Sequence, residues 1–306
     1  MILVTTAGKV GTQTALTLAR SGHDVRVLVR DPQRHEILKD AGAELVEGDL
    51  ADTVSVAAAV DGVDTVVLVS LAIPDQELRV IECAAATSVG FIVKATSKAS
   101  ADSPIARRRG QSEIEAGLIA SGIPHALLRS NAYMQNFLAL APAIATGHLA
   151  SSAGAGRVGF IDARDVGDVA AAIATAPESH LAKTYWLTGP ELLTYGDVAA
   201  IFADALDHPV TFATRTRAED EAAMIEAGVP PRSPLKMRRR SASSLTETLS
   251  GSPPTRRTFS GARRSLSAPS QPTTDPRSRL LTELRNPFEK PVSAGFRECV
   301  QRDLCE

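Results

Sequence analysis

At 306 residues, 44% of them hydrophobic and 22% charged, the chain has the make-up of one large folded domain or two modest ones. No apolar run approaches the ~20 residues needed to cross a bilayer, which argues against a membrane span. The formal net charge of −2 conceals a split: residues 231–306 carry 15 Lys and Arg against 7 Asp and Glu, leaving −10 on the rest, so nucleic acid is not the expected partner of the folded part.

The chain opens directly on a strand, Met1-Ile2-Leu3-Val4, with no basic segment or small-residue cleavage site, so no secretory signal is expected. From there to about residue 130, short β-branched runs alternate with helical stretches. Strands are predicted at Ile2–Thr5, Asp24–Val29, Glu44–Val46, Thr65–Val69, Phe91–Lys94 and His125–Leu128. Their mostly apolar character fits a parallel sheet covered on both faces. Between the first two strands, Val10–Arg20 has helical spacing and ends at Ser21-Gly22, where glycine can take the left-handed cap. Strand–helix alternation of this kind predicts a doubly wound α/β fold.

After Leu128 the rhythm changes. Ile161–Thr175 reads as an extended piece entering a helix, with Asp165 as N-cap. Tyr185–Thr188 reads as a strand, Tyr195–Leu206 as a helix, Val210–Ala213 as a strand and Ala218–Ala227 as a helix capped by Gly228. These pieces are too few for an independent core, so residues 131–230 are expected to form a small substrate lobe integrated with a nucleotide-binding core of residues 1–130. Residues 231–306 hold 9 of the 18 prolines and 12 serines, with no Tyr or Trp. Such a composition cannot bury enough apolar surface to offset ~1–2 kcal/mol of ordering per residue, and a disordered tail is expected. The abrupt change in usage is also what an out-of-frame end would produce. Of the cysteines, Cys83 reads as a small buried residue, and Cys83, Cys299 and Cys305 show no metal-ligand spacing. A metal-free protein of the reducing cytoplasm is expected.

The first strand meets the first helix in Val4-Thr5-Thr6-Ala7-Gly8-Lys9-Val10-Gly11. A pyrophosphate needs a tight turn that aims backbone amides at it and no side chain where the backbone approaches. Gly8 meets the second requirement and Gly11 allows close packing of helix on sheet, so Thr6, Gly8, Lys9, Val10 and Gly11 are the expected phosphate contacts. The second strand ends in Arg30, where an acid would suit the ribose hydroxyl of NAD(H) and an arginine suits the 2′-phosphate of NADP(H). Asp31 beside it could compete for the ribose. Gly48-Asp49-Leu50 follows the third strand, and there Asp49 would accept from the adenine amino group or else cap the next helix. Ser70, Lys94 and Ser97 fall at the carboxyl ends of the fourth and fifth strands, and Asn131 and Tyr133 follow the sixth; Leu50 and Ser70 are expected cofactor contacts, and Lys94 would bond a cofactor ribose or else be a solvated strand end.

These residues resemble the NmrA-like branch of the atypical short-chain dehydrogenase/reductases. The resemblance rests on ILVTTAGKVG, VRVLVRDP and EGDLAD, then SGIPHALLRSNAYMQNF at 121–137, GFIDARDVGDVAAAIAT at 159–175 and YWLTGPELLTYGDVA at 185–199, and it spans residues 1 to about 228. It implies a Rossmann domain binding NAD(P)(H), NADP(H) favoured, with a small-molecule substrate over the nicotinamide. Some such proteins reduce quinones, imines or activated C=C bonds; others bind dinucleotide without turnover. The Tyr-x-x-x-Lys pair of ordinary short-chain dehydrogenases is absent, and Gln111 stands where related reductases often carry His or Lys. The expected activity is hydride transfer from NADPH to a small electrophile, with Tyr133 and then Ser97 as proton donors. A non-catalytic dinucleotide sensor is the alternative.

Overall fold

In a computed structural model, residues 1–226 are described. The chain divides into two compact units. The first comprises Met1–Ser130 and Val166–Leu187, the second Asn131–Asp165 and residues 188–226.

The strands in chain order are β1 (Ile2–Val4), β2 (Val25–Val29), β3 (Glu44–Glu47), β4 (Thr65–Leu68), β5 (Phe91–Thr96), β6 (His125–Ser130), β7 (His148–Ser151), β8 (Lys183–Leu187) and β9 (Thr211–Thr214). The helices are α1 (Lys9–Arg20), α2 (Glu36–Asp40), α3 (Thr53–Val60), α4 (Pro74–Ala85), α5 (Ala106–Ala120), α6 (Ala141–Ala145), α7 (Ala163–Ala174), α8 (Tyr195–Leu206) and α9 (Arg217–Glu226).

The first unit is built on a seven-stranded parallel sheet in the order β3-β2-β1-β4-β5-β6-β8. The doubly wound α/β fold expected from the alternation is therefore the one observed. β1 lies between β2 and β4, with Leu3 opposite Arg26 on one side and Val66 on the other. Successive strands run outward from β1 through β2 to β3, and the chain then crosses back to β4. The order reverses between β1 and β4, and in open α/β sheets the ligand crevice lies at such a reversal, beyond the carboxyl ends of the strands.

The strands earn their places by burial. All of β4 and β5 is buried, and Leu3, Leu28, Val66, Leu68 and Ile92 share a core cluster with Val56, Val80, Ile114 and Leu118 from the helices. α1 turns Val10, Thr14 and Leu18 inward at helical spacing, and the chain leaves it through Gly22 at φ +79°, a conformation glycine adopts without strain. α7 packs against α1 through a polar seam: Thr14 donates to the Gly167 carbonyl at 3.2 Å, and Thr17 and Gln13 donate to Asp168 at 2.6 and 2.8 Å. Gly167 permits that approach, because a Cβ there would lie 2.7 Å from the Cβ of Gln13.

The strand read at Tyr185–Thr188 is β8, which extends the large sheet beyond β6. Periodicity does not say which sheet a strand joins. In the second unit, β7 and β9 form a two-stranded parallel sheet, and Phe137, Phe160, Phe202 and Tyr195 stack edge to face. α8 begins at a capping box in which Thr194 and Asp197 satisfy each other's backbone amides.

The expected cap of α7 is corrected. The helix starts at Ala163, two residues before Asp165, and Asp162 accepts the Arg164 amide at 2.8 Å. Gln135 reaches the same site, donating to Asp162 at 2.7 Å and accepting from the Ala163 amide at 2.9 Å. Gly228 and the expected tail lie outside the described residues.

Candidate functional site

The turn from β1 into α1 shows why each of its residues is what it is. Thr5, standing where a first glycine is usual, is fully buried. Its hydroxyl donates to the Val69 carbonyl at 2.8 Å and accepts from the Val69 amide at 2.9 Å, while Thr6 donates to the same carbonyl at 2.9 Å. Two threonines thus stitch the end of β1 to the end of β4. Gly11 is required by packing, since a Cβ would sit 1.8 Å from the Thr6 carbonyl oxygen.

Gly8 is different. Its φ is −81°, open to any residue, and the nearest atom to an added Cβ is 3.9 Å away. Nothing in the protein demands glycine there, whereas a ligand brought against the backbone would. Gly8 is also the N-cap of α1, with no capping hydrogen bond from its side and no acid in the first turn. First-turn amides have no intrahelical partner, so this helix end presents donors and positive potential. Lys9 is exposed, and Val10 and Gly11 are buried.

Arg30 follows β2 and is exposed, while Asp31 is occupied as an N-cap, accepting from the Gln33 amide at 3.1 Å. Beyond β3, Gly48 is held tight: a Cβ would meet that of Ser55 at 2.6 Å. Asp49 does not cap α3. It accepts from the Ala51 amide at 2.8 Å, and the cap is Asp52, which accepts from Val54 and Ser55. The Ser55 hydroxyl, then the two amides, hold the Asp52 carboxyl below its ordinary range.

Two expected ligand contacts are corrected. Leu50 is a core residue, packed with Leu28 and Val56, because the chain turns inward after Asp49; its carbonyl accepts from Arg79 at 2.7 Å. Lys94 is no solvated strand end. It is fully buried, pairs with Glu77 on α4 at 2.8 Å and donates to the Ala95 carbonyl. An ammonium in the core must be paired, and the pairing uses this one within the protein. Ser70 belongs to the same group, donating to Glu77 at 2.6 Å and accepting from the Ala72 amide at 3.1 Å.

Ser97 follows β5 and is half-buried. Tyr133 belongs to the second unit, where it pairs with Ile161 in an isolated bridge and is half-buried. Asn131, in the same unit, donates to Thr188 at 3.3 Å. Gln111 is buried on α5 and accepts from Thr96 at 2.9 Å. Thr96 also bonds Glu115 at 2.8 Å, and Glu115 pairs with Arg129, whose guanidinium lies 5.4 Å from the ring centre of Trp186. Sequence reasoning missed Glu77 and this second network. Signals existed: Glu77 shares its helix face with the apolar Val80, Ile81 and Ala84, and Lys94 interrupts an otherwise apolar strand.

Residues 1–230 match the NmrA-like family. The chain belongs to the NmrA-like family. It is 31% identical over 235 residues to the NAD(P)H azoreductase of Xenophilus azovorans, covering 75% of this chain and 82% of that one. It is 37% identical over 220 residues to a (4-alkanoyl-5-oxo-2,5-dihydrofuran-3-yl)methyl phosphate reductase of Streptomyces griseus, covering 69% and 76%. The NADPH-dependent quinone oxidoreductase of Escherichia coli, solved with NADPH, superposes with a TM-score of 0.68 at 28% identity, over 76% of this chain and 84% of that one.

Proposed function

We propose that this member of the NmrA-like family is an NADPH-dependent oxidoreductase that transfers hydride to a small electrophilic substrate: a quinone, an imine or an activated C=C or C=O bond. The observation that carries the reading is Gly8, a glycine with ordinary φ and no crowding neighbour, placed at an uncapped helix end beside the reversal point of the sheet. The amides of the first turn of α1 hold the pyrophosphate, and Arg30 pairs with the 2′-phosphate. Asp49, with one oxygen on the Ala51 amide, accepts from the adenine amino group through the other. The bound dinucleotide supplies the hydride. The named activities of the azoreductase and the quinone oxidoreductase support the reaction class.

The protein's own part is orientation and proton supply. Tyr133 carries a phenolic donor and Ser97 a hydroxyl; Gln111, buried and bonded to Thr96, has an amide that does not titrate and cannot relay a proton. Titration of the purified protein with NADPH and NADH, followed by nicotinamide consumption with a panel of quinones, tests the reading. NADPH binds more tightly, and Arg30→Ala weakens NADPH by about tenfold, the worth of a charge-assisted hydrogen bond, while leaving NADH unchanged. Tyr133→Phe lowers kcat by about a hundredfold, the low end of general acid–base effects. Tight NADPH binding with no turnover of any substrate makes the chain a sensor instead. Indifference to both dinucleotides overturns the reading altogether.

A further inference from the structure

The chain from Ser70 to Ile73, between β4 and α4, is an unusual turn. Ala72 sits at φ +59°, a left-handed conformation that costs a non-glycine residue and persists only where its surroundings impose it. Leu71 beside it is 87% exposed, an apolar side chain held out in water. The turn leaves the carboxyl end of β4 and therefore flanks the β1–β4 reversal point opposite the Gly8 turn, to which it is tied through Thr5, Thr6 and Val69.

What imposes the turn is a chain of polar groups, half-buried at Ser70 and fully buried at Glu77 and Lys94. The Ser70 hydroxyl accepts from the Ala72 amide at 3.1 Å, which closes the turn, and donates to Glu77 at 2.6 Å. Glu77 is fully buried and is fixed in turn by the fully buried Lys94 at 2.8 Å. α5 backs the turn from outside: a Cβ on Gly110 would approach Pro74 to 3.3 Å and the Ala72 carbonyl to 3.6 Å, so the helix passes with little slack. A buried ion pair is a poor source of net stability compared with an apolar pair of the same volume. Its use here is directional, because a carboxylate held from one side by an ammonium can orient a hydroxyl on the other, which leucine and methionine cannot.

We propose that Glu77 and Lys94 are positioning residues, which through Ser70 hold the Ser70–Ile73 turn and Leu71 as the β4 wall of the dinucleotide crevice. The inference rests on the dinucleotide reading above. Ser70 serves it by holding the turn, not by touching the dinucleotide.

The test compares NADPH affinity and melting midpoint in wild type, Ser70→Ala, Ser70→Thr and the double variant Glu77→Leu/Lys94→Met. Ser70→Ala leaves the buried pair intact; it weakens NADPH about fivefold, the worth of one hydrogen bond, raises KM for NADPH and leaves kcat at saturation alone. Ser70→Thr, which keeps the hydroxyl, restores binding. The double variant keeps the Ser70 hydroxyl but removes what orients it. Weakened NADPH binding in a folded double variant supports positioning, and wild-type affinity there overturns it. Should the double variant fail to fold, Ser70→Ala decides: a lowered melting midpoint with unchanged NADPH affinity overturns the proposal. Wild type that binds no NADPH overturns the dinucleotide reading first, a result distinct from either.

Discussion

Two glycines three residues apart in one turn have opposite reasons for being glycine. A Cβ on Gly11 would strike a backbone carbonyl at 1.8 Å, and one on Gly8 would meet nothing nearer than 3.9 Å. Backbone cannot yield as a side-chain tip can, so Gly11→Ala is expected to destabilise the fold by about 1–3 kcal/mol, the usual cost of overpacking. Gly8→Ala, at an N-cap where alanine is poorer than glycine, is expected to cost less, about 0.5–1 kcal/mol, and yet to lose NADPH binding by about tenfold or more as the methyl displaces the phosphate. Denaturant melts and a binding titration on the two variants separate these outcomes. Equal loss of stability in both would remove the argument from Gly8. The glycine pattern alone marks both positions as special; only the distances around them say which is structural.

At the scale of elements, the amphipathic face of α4 carries an acid among its apolar residues, and β5 carries a base among its own. Each is anomalous in its own segment and the two resolve each other when α4 lies on the sheet. Glu77→Ala is therefore expected to cost about 3–5 kcal/mol, because it strands the Lys94 ammonium in the core. The double replacement by Leu and Met is expected to cost far less. Chemical denaturation of the two variants checks this, and a mild effect of Glu77→Ala alone would mean that Lys94 finds another partner. Lys94 was legible as a strand residue and illegible as a buried one: a strand's end and its interior look alike in sequence, and the ion partner lies 17 positions away. Leu50 was illegible for a related reason, since the core residues it packs with, Leu28 and Val56, belong to other elements.

Across the whole described chain, the resolved carboxylate shifts share a direction. The Ser55 hydroxyl lowers Asp52, the N-terminal ammonium lowers Asp64, and the backbone amides of Thr194 and Thr216 lower Asp197 and Glu219. Asp162 is the buried case: burial by itself would raise its carboxyl, and the Arg164 hydrogen bonds and charge, with Gln135, outweigh it. Folded values below the unfolded ones mean stabilisation that is present above about pH 4, the unfolded carboxylate range, and lost as pH falls through the folded values. Stability is thus expected to decline on acidification below about pH 4, and Asp162→Asn to flatten that decline while lowering stability at neutral pH. A melting series against pH checks it; an unchanged slope in the variant would show that the other carboxylates dominate.

The sequence by itself determined the strand–helix alternation, the sheet's parallel sense, the glycine-marked turn after β1 and the basic end of β2. Each is encoded within a few neighbouring residues by apolar periodicity, by glycine or by charge. Only the tertiary structure decided that Thr5 and Thr6 lock β1 to β4, that Asp52 and not Asp49 caps α3, and that Lys94 and Ser70 serve Glu77. It also decided that β8 extends the large sheet. These are questions of which partner a polar group finds or which edge a strand joins, and the partners lie far away in sequence, where local pattern carries no information.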